Sequence, residues 1–141
     1  MSLEMFFKQN AMEKENKKIL VSTRFTDDEG KPAKFEIKAI TATEDQTLRE
    51  ACTSLKEIPG KKGQFAPMLN AGKYMSMLCA ACVVYPELDN AALQDSYGVK
   101  TPADLLGEML LPAEKTDLTV CAQNLCGYEL SMNAEIETAK N

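Results

Sequence analysis

Two stretches near the N-terminus alternate apolar and polar side chains with a period of two residues. The first runs from Ile19 to Phe25 and the second from Phe35 to Ala39. A period of two is typical of a β-strand with one buried face. Between them, Asp27-Asp28-Glu29-Gly30 is rich in turn-forming residues. The pattern predicts an antiparallel β-hairpin within residues 19–40, and helices must cover its apolar face because a lone hairpin is marginal in water.

Residues 1–18 predict a short helical arm. Ser2 is a suitable N-cap, and Leu3, Phe6 and Phe7 would form one apolar edge. Helices shorter than about 12 to 15 residues are marginal in isolation, so this one needs a surface to dock on. We expect it to dock on its own domain, and docking on a neighbouring copy or a partner is the alternative.

From residue 41 the apolar period lengthens to that of a helix. Two overlapping capping boxes, Thr41 with Glu44 and Thr43 with Gln46, mark its start. We predict a helix from there to about Glu57, followed by a solvated loop at residues 59–63. The buried side chains of this helix would be Leu48, Ala51 or Cys52, and Leu55.

The most apolar helix is predicted from Asn70 to Tyr85. Apolar positions cover much of its circumference, which is typical of a central helix, and we expect it to pack across the hairpin. Pro86 ends it, because proline lacks the amide donor and its ring clashes with the preceding turn. Capping residues, prolines and glycines predict the helices that follow: Asp89 to Tyr97, Thr101 to Leu110, Pro112 to Leu125, and a weakly amphipathic tail from Leu130 to Asn141.

These elements predict an α+β fold, a mostly α-helical single domain with an antiparallel β-hairpin near the N-terminus. Its parts would be the arm at 1–18, the hairpin at 19–40 and a helical region at 41–141. A chain of 141 residues suits one core, since it can bury roughly 70% of the surface that its unfolded form exposes.

Charge and composition narrow the class of protein. The net charge of −5 argues against a dedicated nucleic-acid binder, because phosphate contacts need a basic surface. The N-terminus has no secretory pattern, and no apolar run approaches the 18 or so residues of a membrane span. We therefore expect a cytoplasmic protein that binds neither membranes nor nucleic acid, with its 5 cysteines as free thiols.

Candidate chemistry is confined to the cysteines. Cys79 and Cys82 form a C-x-x-C motif, and Cys121 with Cys126 supplies a second pair that in principle completes a four-thiolate zinc site. Each cysteine nevertheless lies within an apolar helical pattern, where a buried, inert thiol is the more common role. Histidine is absent, which removes the commonest general base. We predict no catalytic residue, no cofactor and no metal.

The 8 methionines are the remaining feature of the sequence that could indicate a function. Methionine adapts its shape, so a methionine-lined groove for a helical partner is plausible, although filling gaps in the core is the more common use. The candidate partner-binding residues are the large apolar and aromatic side chains of the predicted helices: Tyr74, Met77, Tyr85, Tyr97, Leu106 and Met109.

Longer ordered stretches carry a resemblance over nearly the whole chain. ACVVYPELDNAALQDSYGV, then LLGEMLLPAE and LCGYELSMNAEIETAKN, together with MSLEMFFKQNA and VSTRFTDDEGKPAKFEIKAI, are similar to tail assembly chaperones of tailed bacteriophages and prophages, specifically the XkdN-like family. The correspondence is structural and covers the Val83 to Pro86 stop, the Gln94 to Val99 turn and the Leu110 to Pro112 junction. The cysteines, and Ala113 in place of a glycine, depart from it.

This resemblance implies a protein that binds the tape measure protein during tail assembly. Such a chaperone would keep that extended, helix-rich client soluble in the host cytoplasm until tail tube subunits polymerise around it, and would be absent from the mature virion. The tail tube protein is a second candidate partner, and a homo-oligomer is an open possibility. The alternatives are a self-assembling phage structural or scaffold protein, and a cysteine-metal or redox protein.

Overall fold

The computed structural model describes residues 2–128, which form an α+β single domain. That part of the chain contains five strands and five α-helices. Their order is β1 Lys17–Ile19, β2 Phe35–Ile37, α1 Ala42–Ala51, β3 Thr53–Glu57, β4 Phe65–Leu69, α2 Ala71–Cys82, β5 Val83–Tyr85, α3 Ala91–Ser96, α4 Pro102–Met109 and α5 Pro112–Leu125. The predicted tail helix from Leu130 lies outside the described residues.

The predicted N-terminal hairpin is confirmed, with its first strand earlier than expected. β1 pairs antiparallel with β2, and Lys17 lies opposite Ile37. Residues 20–34 connect them; Val21 and Phe25 pack against the core, and Thr26 forms an isolated bridge with Pro32. Arg24 anchors this segment to the end of α4 and the start of α5. Its guanidinium donates to the carbonyl of Met109 at 2.8 Å and to Glu114 Oε1 at 2.6 Å.

A third strand completes this sheet in the order β1-β2-β5. The central helix was predicted to continue to Tyr85, but α2 ends at Cys82 and the chain becomes β5. β5 pairs with β2 through Ile37 opposite Val83, and a register shift then places Tyr85 opposite Glu36. Such an irregularity turns a side chain to the other face, which accounts for Tyr85 being exposed while Val83 packs against the core.

The predicted helical region from residue 41, with its loop at 59–63, is wrong at residues 53–69. α1 ends at Ala51, and β3 and β4 form a second antiparallel hairpin with Thr53 opposite Leu69 and Glu57 opposite Phe65. Leu55 is 70% exposed, not buried. The helical spacing of Leu48, Cys52 and Leu55 indicated a continuous helix, whereas the chain forms a strand from Thr53.

The central position of α2 is confirmed. Cys79 and Ala80 pack with Phe35 and Ile37 of β2 and with the inner face of α4. The opposite side of α2, including Leu78, packs with Cys52 and with Ala122 of α5. One helix, α2, therefore separates two clusters of buried side chains.

The predicted helix starts are confirmed by their hydrogen bonds. The side chains of Asn70, Asn90 and Thr101 each accept from the backbone N–H three residues later, at 3.1, 2.9 and 3.2 Å. Thr41 and Glu44 form the capping box of α1. Gly98 follows α3 with a φ of +70°, a conformation that glycine adopts without strain.

The N-terminal arm forms two short 3-10 helices, Leu3–Phe6 and Lys8–Asn10. Ser2 Oγ accepts from the N–H of Glu4 as predicted. Leu3 and Phe6 are 75% and 76% exposed. The expectation that the arm docks on its own domain is therefore wrong, because its apolar edge faces solvent.

Candidate partner-binding surface

A groove of about 1210 Å³ runs between α2 and α4, with β5 at one end. Its floor consists of small or flexible apolar side chains, among them Met77, Ala80, Ala81 and Val84. Gly107 of α4 also lines it, and a Cβ built there meets no atom within 4 Å. The small residues Gly72, Ala80, Ala81 and Gly107 among the lining leave this space open.

The rim of the groove is electrically polarised. Glu87, Asp89, Asp104 and Glu108 line the side formed by α4 and the segment after β5, whereas Lys38, Lys73 and Lys115 line the side nearer α2. Within residues 2–128, none of these four carboxylates takes part in an ion pair. Charged rims around an apolar floor select an occupant that is itself amphipathic and fix its direction.

A second recess of about 770 Å³ lies on the outer face of the three-stranded sheet. Tyr85 and Leu20 contribute its exposed apolar side chains, and they are 60% and 53% exposed. Val84 and Glu87 line both the recess and the groove. The two concave surfaces are therefore contiguous, with β5 at their boundary.

The six predicted partner-binding residues differ in how far they are exposed. Met77 lines the groove and Tyr85 lines the recess, while Tyr97 is half-buried against the core. Tyr74, Leu106 and Met109 are no more than 5% exposed. Leu106 and Met109 occupy the inner face of α4, so in this structure they hold the groove walls together and cannot contact a partner.

Tyr74 has a structural role at the junction of α1 and α2. Its hydroxyl donates to Asp45 Oδ1, and Arg49 Nε donates to Asp45 Oδ2 at 2.9 Å while the guanidinium stacks 4.4 Å from the Tyr74 ring centre. Burial and the bond to Asp45 raise the pKa of Tyr74. Burial alone would raise the pKa of Asp45, but the bonds from Tyr74 and Arg49 outweigh it and lower that pKa.

An apolar surface on the β3–β4 hairpin was not predicted from the sequence. Opposite residues of an antiparallel pair lie on the same side, so the apolar Leu55, Phe65, Pro67 and Leu69 share one side with Thr53 and Glu57, and this side is here called the hairpin face. Leu55 and Phe65 are 70% and 59% exposed. The signal that could have identified it is the cluster of turn residues at 59–63, which is typical of a hairpin connection.

Cys52, Cys79 and Cys82 are buried, Cys121 and Cys126 are partly exposed, and none of the five lines either concave surface. Cys79 and Cys82 are inside α2 with no exposure, and Cys82 Sγ is 3.8 Å from Cys126 Sγ. Burial raises the pKa of both α2 thiols, which disfavours the reactive thiolate. Among residues 2–128, no three His, Cys, Asp or Glu side chains are arranged to hold a metal ion.

In the part of the chain that the structure describes, no helix has the length and apolarity needed to cross a membrane.

Comparisons with known proteins place the chain in one family. Residues 3–140 match the model of the phage XkdN-like tail assembly chaperone proteins. Two Bacillus subtilis (strain 168) relatives align over 140 residues, 99% of this chain and 93% of theirs: the uncharacterized protein YqbN, 25% identical, and the phage-like element PBSX protein XkdN, 24% identical.

A solved structure shares the fold. The crystal structure of YqbN superposes with a TM-score of 0.78 at 21% identity, covering 91% of this chain and 98% of the other. The family match over nearly the full length of the chain supports a role in phage tail assembly. The chain belongs to the XkdN-like family of phage tail assembly chaperones.

Proposed function

We propose that this protein is a tail assembly chaperone that binds the tape measure protein and keeps it soluble until the tail tube assembles around it. The role is one of binding, without a catalytic step or a cofactor. It places the protein in the cytoplasm of the bacterial host and outside the completed virion. The tail tube protein, which displaces the chaperone in this scheme, is the second candidate partner.

The observation that carries this proposal is the polarised apolar groove between α2 and α4. Its volume of about 1210 Å³ is roughly that of three turns of an α-helix 10 Å across. Amphipathic helices commonly bind by laying their apolar face into such a groove. Met77 suits a floor that must accept many different client segments, because methionine adapts its shape.

The same geometry explains how the client would be released. A groove that holds about three turns buries less than the roughly 800 Å² per partner of a stable complex, so each contact is weak and reversible. A long helical client offers many such segments. Several chaperone molecules could therefore cover it without any one of them binding irreversibly.

Co-expression with the tape measure protein of the same phage tests the proposal. We expect the client to stay in the soluble fraction and to elute together with this chain in size exclusion. Gly107→Phe should abolish both effects by filling the groove, whereas Gly107→Ala, which adds only a methyl group, should preserve them. A client that precipitates beside the wild-type chain, or that binds Gly107→Phe equally well, would contradict the proposal.

A self-assembling structural or scaffold protein is the second candidate, and the exposed hairpin face is the observation that favours it. That function predicts rings or filaments of this chain that form without a client and persist in the assembled particle. If the client precipitates regardless while this chain elutes alone as a defined oligomer, the structural role is the better account.

A further inference from the structure

The β3–β4 hairpin stands apart from the rest of the domain. Its strands pair closely with each other, and every residue of β3 is exposed. The hairpin is extended at its tip, where the N–H of Ile58 donates to the carbonyl of Gln64 at 2.8 Å. A two-stranded ribbon is marginal in water unless something packs on it. Its apolar side, the hairpin face, is therefore a surface on which a bound partner would stabilise the ribbon.

The size of the hairpin face limits what that partner can be. Five residues per strand span only about 17 Å, so two hairpin faces stacked on each other would cover only one side of each short ribbon. A flat, symmetric contact between two hairpins therefore buries little apolar area. A concave surface that encloses the ribbon from more than one side provides more contact for the same length.

Charge identifies a concave surface of this kind on a second copy of the chain. Residues 53–69 contain three lysines and one glutamate, a net charge of +2 in a chain of net −5. That glutamate, Glu57, accepts from the N–H of Gly63 at 2.9 Å and is held within the hairpin. Lys61 and Lys62 at the tip take part in no ion pair within residues 2–128.

The groove supplies the complementary charges. Asp104 and Glu108 are one helical turn apart on α4, both are exposed, and both line the rim. We propose that the β3–β4 hairpin of one copy inserts into the groove of another. In this arrangement the hairpin face packs on the apolar floor, while Lys61 and Lys62 contact Asp104 and Glu108.

This contact joins two different surfaces, so each copy both donates a hairpin and accepts one. Such heterologous contacts generate rings or open chains. If the groove also receives the tape measure protein, a consequence that rests on the proposed function, then client helices compete with the neighbouring hairpin. Self-association would then cover the groove until a client is present.

Light scattering coupled to size exclusion, over a range of protein concentrations and without any client, tests the proposal. We expect the mass of the wild-type protein to rise with concentration. Lys61→Glu/Lys62→Glu and Asp104→Lys/Glu108→Lys should each remain monomeric, because hairpin and rim then carry like charges. An equimolar mixture of the two variants should regain association, because each hairpin then meets a rim of opposite charge.

A matched control separates this effect from general repulsion. Lys8→Glu/Lys14→Glu makes the same change in net charge on the N-terminal arm and should associate like the wild type. As a second readout, photo-crosslinking from benzoylphenylalanine at position 65 should yield dimers linked to peptides of α2 or α4. Circular dichroism confirms that each variant is folded.

Three results would overturn the inference. They are a wild-type chain that stays monomeric at every concentration, association that survives Lys61→Glu/Lys62→Glu, and association that is lost with the arm control or on deletion of residues 1–12, which would make the arm the occupant. None of them bears on co-elution with the tape measure protein. Failure here and failure of the proposed function are therefore distinguishable.

Discussion

At the scale of single residues, a few polar contacts fix how the segments of irregular structure meet the helices. Glu114, in the first turn of α5, accepts from the N–H of Leu111 at 2.8 Å and from the Arg24 guanidinium at 2.6 Å. These bonds, the backbone one first, lower the pKa of Glu114 to about 2 from an ordinary value of 4.5. Arg24 in turn holds the long β1–β2 connection against the end of α4.

The lowered pKa gives Glu114 a defined pH dependence. Because its pKa is lower in the folded state, its contribution to stability is fully present above about pH 4.5 and is lost as the pH falls towards 2. Glu114→Gln should therefore lower the melting temperature at pH 7, and the difference from wild type should shrink below pH 4.5. Thermal unfolding followed by circular dichroism measures it, with Glu13→Gln in the exposed arm as the control. A difference that is constant with pH would refute the assignment.

Burial also determines how much a substitution at a predicted partner-binding residue changes the stability of the fold. Leu106 has no exposure, so Leu106→Ala should cost about 2 to 5 kcal/mol of stability through lost burial and a cavity. Tyr85→Ala, at an exposed position, should change stability by no more than about 0.5 kcal/mol. Urea unfolding of both variants provides the comparison. Equal costs would mean that Tyr85 is packed more tightly than the structure shows.

At the scale of elements, features that depend on local contacts could be predicted from the sequence. Features that depend on contacts between distant residues could not. The starts of α2, α3 and α4 depend on a cap and a backbone N–H three residues later, and the sequence shows both. The pairing of β5 with β2 joins residues more than forty positions apart, and nothing near Val83 indicates it. For the same reason the two concave surfaces could not be foreseen, and Leu106 could not be distinguished from Met77.

The independence of the β3–β4 hairpin makes a further prediction. Since it pairs chiefly with itself, replacing residues 55–67 with a short Gly-Ser linker should leave the core folded and shift the melting temperature only slightly. The hydrogen bond from the N–H of Asn70 to the carbonyl of Cys52, at 2.8 Å, would remain at its base. Near-ultraviolet circular dichroism reports the packing of the aromatic residues. A collapse of that signal would show that the hairpin is part of the core.

At the scale of the whole molecule, most buried side chains are distinct from those of the candidate partner-binding surfaces. The buried side chains surround α2, whereas the arm, the hairpin face and the two concave surfaces expose apolar side chains. The predicted α+β class is correct because the helical periodicity and the N-terminal alternation are strong. The positions of the candidate partner-binding surfaces depend on how those helices and strands pack together. The periodicity of the sequence does not specify that packing.

Hydrogen–deuterium exchange of the purified complex with the tape measure protein tests the central claim most directly. We expect slower exchange on client binding at residues 76–88 and 101–108, which form the groove, and unchanged exchange at the centre of α1. Gly107→Phe should remove that protection, while Gly107→Ala retains it. Protection confined to the hairpin or the arm, or a complex whose groove exchanges as fast as that of the free chain, would contradict the account.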